Sequence, residues 1–154
     1  MIELTCYARS VETISRRTAL AGALSVLTVF AAGCAPRSDQ SAVQAALQSA
    51  VDAAPGYVGG TIQYQDGFSP GTTISAVLTV TATDREGTVE VLSSILEAVI
   101  RTYVDQPDVR TGFVRISASP EGDRTISVNT ADIVKPSEGA NATTDDVASH
   151  FMLS

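Results

Sequence analysis

The sequence predicts an α+β fold: a two-layer sandwich with a mainly antiparallel four-stranded sheet and one main amphipathic helix, in ββαββ order, plus an N-terminal helix. Three observations carry this expectation. Residues 72–83 alternate strictly between two faces, which is the period of a half-buried strand. Val89, Leu92, Leu96, Val99 and Tyr103 step by three and four, which is the period of a helix. Short runs rich in β-branched residues lie on either side of that helix, punctuated by Gly, Pro and Asp.

The elements follow in order. Val43, Ala46, Leu47, Ala50, Val51 and Ala54 recur at helical spacing, so a helix is expected over about 39–53. Ser38 or Asp39 can cap it, and Pro55-Gly56 ends it. Its single apolar stripe suits either packing on the domain or a stalk. Residues 57–65 read as a strand with Val58, Gly60, Ile62 and Tyr64 on one face, and 66–71 as a loop. In 72–83, Ile74, Ala76, Leu78, Val80 and Ala82 oppose Thr73, Ser75, Val77, Thr79 and Thr81, completing a hairpin. Thr83 to Glu86 reads as a capping box opening the main helix, which Pro107 stops. Glu97 and Arg101 form an i,i+4 pair on it. Residues 112–119 alternate again, with Val114, Ile116 and Ala118 inward. After a turn at 120–123, residues 124–134 are expected to form the last strand, with Ile126 and Val128 inward. Residues 135–146 read as a polar linker and 145–153 as a short closing helix.

Charge is unevenly distributed. The 154 residues carry a net −7, but only two of the 17 acidic residues and three of the ten basic ones precede Cys34, so residues 34–154 carry −8. The remaining basic residues are scattered, which argues against nucleic acid, because displacing counterions from phosphates needs clustered Lys and Arg. No Trp is present and only 5% of residues are aromatic, so stacking platforms for bases or sugars are poorly supplied.

The first 33 residues have the order of an export signal. Arg16 and Arg17 precede an uncharged stretch, residues 18–32, which is too short for a membrane span and suited to a signal core. It ends Ala31-Ala32-Gly33-Cys34, which resembles the lipobox of bacterial lipoproteins. The resemblance implies that Cys34 receives a diacylglycerol through a thioether, that the signal is cut after Gly33, and that the chain is held on the extracytoplasmic face of the cell membrane. Ala31 departs from the Leu more usual there. It also accounts for an otherwise odd cysteine, since Cys6 falls in the discarded segment. Ser15-Arg16-Arg17-Thr18-Ala19-Leu20 resembles a twin-arginine signal, departing at Ala19 and Ala21. Nine Arg to one Lys, with abundant Ala, Val and Thr, is similar to small lipoproteins of GC-rich Gram-positive bacteria, as in actinomycetes. The mixture of short strands and a helix also resembles envelope domains of the BON type, which are associated with phospholipid surfaces. The organisation expected is a signal over 1–33, an acylated tether and helix over 34–56, an α+β domain over 57–134, and a linker with a short helix over 135–154.

Candidate chemistry is sparse. His150 is the lone histidine, near the chain end in a weak helix, and reads as an exposed bystander. With no second His and no nucleophile elbow, a catalytic triad has no support. Asp66, Asp84, Asp123 and Asp132 sit at turns or strand ends, where carboxylates can gather around Ca²⁺, but no EF-hand loop is present and turn and cap roles explain each. Asn141-Ala142-Thr143 matches a glycosylation sequon. Tyr57, Tyr64 and Phe68 can line a shallow surface, although core and loop packing is the commoner explanation for such residues. No catalytic residue, metal or cofactor is expected. The expected function is that of a non-catalytic binding or structural module engaging an envelope protein or wall component through a sheet face or edge. The alternative is a carrier holding a small apolar ligand between sheet and helix. A hydrolase would need two carboxylates buried together in a cleft.

Overall fold

A computed structural model describes residues 38–67 and 71–153. The expected leader, Cys34 and Phe68 lie outside the described residues. The fold is mixed α+β, with elements α1 (Gln40–Asp52), β1 (Tyr57–Gly67), β2 (Gly71–Val80), α2 (Arg85–Val104), β3 (Phe113–Pro120), β4 (Val128–Asn129), α3 (Thr130–Ile133) and α4 (Thr144–His150). The strands form one sheet in the order β1-β2-β3-β4.

The β1–β2 hairpin is antiparallel, running from Tyr57 opposite Val80 to Gly67 opposite Gly71. A bulge leaves Val58 as the extra residue between the Tyr57 and Gly59 pairs, so Val58 stands outward, 40% exposed, rather than inward as its alternation with Ile62 suggests. Gly60 follows at φ +120°, where a Cβ would lie 2.5 Å from the Val77 carbonyl oxygen. Only glycine fits that approach.

β3 departs from the expected antiparallel sheet: it runs parallel to β2, from Thr73 opposite Phe113 to Val80 opposite Pro120. The cause is length. The 20 residues of α2 span about 30 Å at 1.5 Å each, and the ten of β2 span about 33 Å. The helix thus carries the chain back along the whole strand, and β3 restarts at the end where β2 began. A parallel neighbour needs such a crossover.

The last strand is also shorter than expected. β4 holds only Val128 and Asn129, paired with Ala118 and Ser117. Before it, the Asp123 carboxylate accepts from the Thr125 amide and hydroxyl at 2.9 and 2.6 Å, fixing a turn. After it, Asp132 accepts the Asn129 amide at 2.8 Å and draws the chain into α3. The expected linker is partly structural as well. Ala142 is buried, its carbonyl accepts the Val114 amide at 2.8 Å, and Thr143 bridges to Phe113. The Asp146 carboxylate accepts from Thr143 and Ser137 amides at 2.8 and 3.3 Å, and these bonds hold its pKa down at about 2.

The core lies on one side of the sheet. Ile62, Tyr64, Ile74, Leu78, Val80, Val114, Ile116 and Ala118 turn inward from the strands, as their alternation requires. Leu92, Ile95, Leu96, Val99, Ile100 and Tyr103 of α2 meet them. Val43, Leu47 and Val51 of α1 and Val147 of α4 join the same cluster, so the packed body draws on residues either side of 57–134. α2 is capped by Asp84 rather than Thr83: its carboxylate accepts the Gly87 amide at 2.8 Å, and a negative charge suits a helix N-terminus. The Glu97–Arg101 pair is present at 2.7 Å but exposed. Arg101→Ala is therefore expected to cost no more than about 0.5 kcal/mol, read as a shift in urea midpoint. No helix among the described residues is long and apolar enough to cross a membrane.

Candidate functional site

Side chains of α1 cover part of the β1 edge of the sheet, and on the other side β3 is met by side chain and backbone together. Along β1, three glutamines of α1 spaced by four residues reach the free backbone. Gln40 donates to the Tyr64 carbonyl at 3.1 Å. Gln44 accepts the Tyr64 amide at 2.6 Å and donates to the Ile62 carbonyl. Gln48 accepts the Ile62 amide at 3.0 Å. The four-residue spacing places all three amides on one helix face. The Tyr57 hydroxyl donates to the Gly60 carbonyl at 2.6 Å, further along the same strand. On the β3 side, the buried Thr130 hydroxyl accepts the Ile116 amide at 3.1 Å and donates to the Ile116 carbonyl at 3.0 Å, in place of a strand backbone. The Gly112 carbonyl accepts the Thr144 amide at 2.8 Å. An edge closed this way offers little template for an added strand.

Among the described residues, no helix covers the second sheet face. Its rows follow from the register: Gln63, Ser75 and Arg115 form one, and Thr61, Val77 and Ser117 the next. These rows floor a groove of about 650 Å³, walled beyond β3 by residues 129–131 and 140–142. Such a volume lies within the usual range of ligand sites, roughly 300–1,000 Å³. Its lining contains no Asp or Glu and a single cation, Arg115. The Arg115 guanidinium lies over the Phe113 ring, 5.7 Å from its centroid, and enters no ion pair among the described residues. Val77 is 77% exposed, the one large apolar side chain among the Thr and Ser of its strand's outer face. A second hollow of about 400 Å³ lies outside α1 and α2, lined by small residues such as Ala53, Ala54 and Ala98. Neither hollow lies between the sheet and the helices, where Leu47, Ile62, Ile74, Leu96 and Ile100 are fully buried.

A polar clamp ties the start of the described chain to one end of the sheet. The Asp66 side chain, 4% exposed, pairs with Arg110 and accepts from the Ser38 and Thr72 hydroxyls, each at 3.1 Å. Ser38 also bonds the Tyr64 hydroxyl at 2.8 Å. Tyr103 packs beside Tyr64 at 5.8 Å and donates to the Arg110 carbonyl at 2.6 Å. Burial, with Tyr64 beside it, pushes the Tyr103 hydroxyl well above its ordinary pKa, so it remains a donor. Burial works against the Asp66 carboxylate, yet the bonds from Arg110, Ser38 and Thr72 outweigh it and hold its pKa below the usual value. The clamp's contribution is therefore fully present above the unfolded carboxylate pKa of about 4 and fades as pH falls through the lower folded value. Asp66→Asn is expected to cost about 1–2 kcal/mol at neutral pH, limited because Arg110 is half exposed. It is also expected to flatten the acid limb of the stability profile; an unchanged acid limb would remove Asp66 from this role.

The other sequence candidates are dispersed. Asp84 caps α2, Asp123 holds its turn, and Asp132 pairs with Arg85 at 3.2 Å while capping α3. With Asp66 in its clamp, each carboxylate has its own partners, and among the described residues no three His, Cys, Asp or Glu gather as a metal site. His150 is exposed and stands edge-on to Phe151 at 4.7 Å. Tyr57 and Tyr64 do not form a shared surface: Tyr64 faces the core, and Tyr57 lies at the far end of β1. In the 141–143 sequon, Ala142 and Thr143 are engaged by the edge of β3 and the cap of α4.

The groove residues carried a sequence signal that alternation alone did not assign to a site: Val77 and Arg115, with Phe113 beside Arg115, depart from the Thr and Ser that fill most outward positions of β2 and β3. No protein-family model matches the chain, and neither a curated protein nor a solved structure matches it.

Proposed function

We propose that the protein is a lipid-anchored envelope lipoprotein that binds, without catalysis, an envelope protein or wall component in the groove on its open sheet face. The observation that carries the reading is the groove itself. Side chains of α1 cover part of the β1 edge, the β3 side is met by β4, Thr130 and residues 142–144, one face is buried under helices, and the other face carries a groove with no described element over it. In this two-layer arrangement the open face is the surface left for a partner.

The anchor supplies location. Ser38 is four residues from Cys34, a reach of at most about 14 Å even when fully extended. The Ser38–Asp66 clamp joins that tether to the Thr72 end of the sheet. Two acyl chains suffice for stable anchoring, and a body charge of −8 keeps it from adsorbing onto anionic headgroups.

Two experiments test this. Cys34→Ser should abolish incorporation of a clickable fatty acid and release the protein from the membrane fraction; retained label would end the lipoprotein reading. Val77→Asp should abolish recovery of a crosslinked partner from detergent-solubilised envelope while leaving the fold intact. Unchanged recovery would remove the groove from the interface.

A further inference from the structure

We infer that the groove on the open sheet face takes a short peptide segment carrying one carboxylate, which Arg115 receives. This rests on the reading of that face as the binding surface and names what it recognises.

Charge selects the ligand's sign and number. The body carries −8, yet no acidic residue lines the groove, and its one cation has no carboxylate partner among the described residues. The overall field repels a polyanion such as a nucleic acid or a polyphosphate-rich polymer, because many like charges approach the same acidic body. A single carboxylate seated at Arg115 gains a charge-assisted contact without that repulsion. Phe113 sharpens the site. A guanidinium over an aromatic ring keeps its N–H fork available, and that fork matches a carboxylate in a way that a lysine ammonium does not.

The remaining floor selects a peptide over a sugar. Beside Arg115 stand the Gln63 amide and the Ser75 hydroxyl, and in the next row the Thr61 and Ser117 hydroxyls flank Val77. These groups can both donate to and accept from the N–H and C=O of a peptide backbone, and Val77, 77% exposed, gives one apolar contact for a small side chain. No aromatic ring is among the residues that line the groove, and Phe113 beside it carries Arg115 on one face, so a pyranose has no stacking platform there. Strand addition at an edge is not needed for this mode and is blocked at Ile62, Tyr64 and Ile116.

The test uses the full chain, ¹⁵N-labelled and held in detergent, titrated with N-acetyl-trialanine bearing a free carboxylate and, separately, with its C-terminal amide. The expected result is saturable amide shifts at Ser75, Val77, Arg115 and Ser117 with the carboxylate form. The amide form is expected to bind at least about tenfold more weakly, as loss of one charged hydrogen-bonded contact implies. Arg115→Gln should remove the difference between the two probes, and Arg115→Lys should restore part of it. Arg115 is exposed, so both variants are expected to keep the unbound spectrum elsewhere. Equal binding of the two probes, shifts centred on another face, or an Arg115→Gln protein that still prefers the carboxylate would overturn the inference. No binding of either probe at millimolar concentration would also overturn it. Loss of partner recovery in Val77→Asp would then still support the groove as an interface, so the two proposals fail separately.

Discussion

Leu47→Ala is expected to destabilise the folded chain by about 2–5 kcal/mol. Leu47 is fully buried, and it sits at the centre of the α1 stripe between Val43 and Val51. Truncation removes its apolar surface from the core and leaves a cavity that α1, held to β1 by three glutamines, cannot collapse freely. A small domain has only about 5–15 kcal/mol of stability in total, so the loss should appear as a large drop in urea midpoint with little change in slope. The sequence left α1 open between a stalk and a packed element, and the variant separates them: a stalk helix would tolerate the change with a shift below about 0.5 kcal/mol.

Gln44→Ala is expected to cost about 2–6 kcal/mol, because it strips partners from both the Ile62 carbonyl and the Tyr64 amide, at about 1–3 kcal/mol for each partly buried group left unsatisfied. A second effect follows from geometry. Removing Gln44 and Gln48 together exposes a run of unpaired backbone on a β-rich edge, so the double variant is expected to self-associate with rising concentration. Light scattering coupled to size exclusion reads this directly. Gln65→Ala is the control, on the same strand but with an exposed side chain. A double variant that stays as monodisperse as the control would show that the glutamines do not guard the edge.

Periodicity made the inner faces of β2, α2 and β3 legible, because burial of one face forces every second strand residue or one helix stripe to be apolar. Ile74 to Val80 and Leu92 to Tyr103 fall where the pattern puts them. Strand direction was not legible in the same way. It depends on matching the length of α2 to that of β2, which local pattern does not weigh. The shortness of β4 escaped for another reason. Residues 124–134 have strand-like composition, but Asp123 and Asp132 hydrogen-bond the backbone locally and win over extension. The linker at 135–146 reads as polar because its docking to β3 uses the Ala142 carbonyl and the Thr144 amide, with Ala142 the one small apolar side chain buried there. The glutamine cap was visible as a four-residue spacing, but glutamines on a helix ordinarily read as a solvated face. The groove combines Val77 and Arg115 across two strands, and only the register brings their rows together.

The most direct measurement of the central claim is photo-crosslinking in intact cells from single positions on the two sides of the body. A benzophenone amino acid is placed at Val77 or Ser117 in the groove, or at Glu90 or Ser94 on the outer surface of α2. The account predicts a discrete adduct, either a protein band or a wall-linked smear removed by muramidase, from 77 and 117 and not from 90 and 94. Adducts of equal yield from all four positions, or from the α2 positions alone, would contradict the open sheet face as the binding surface.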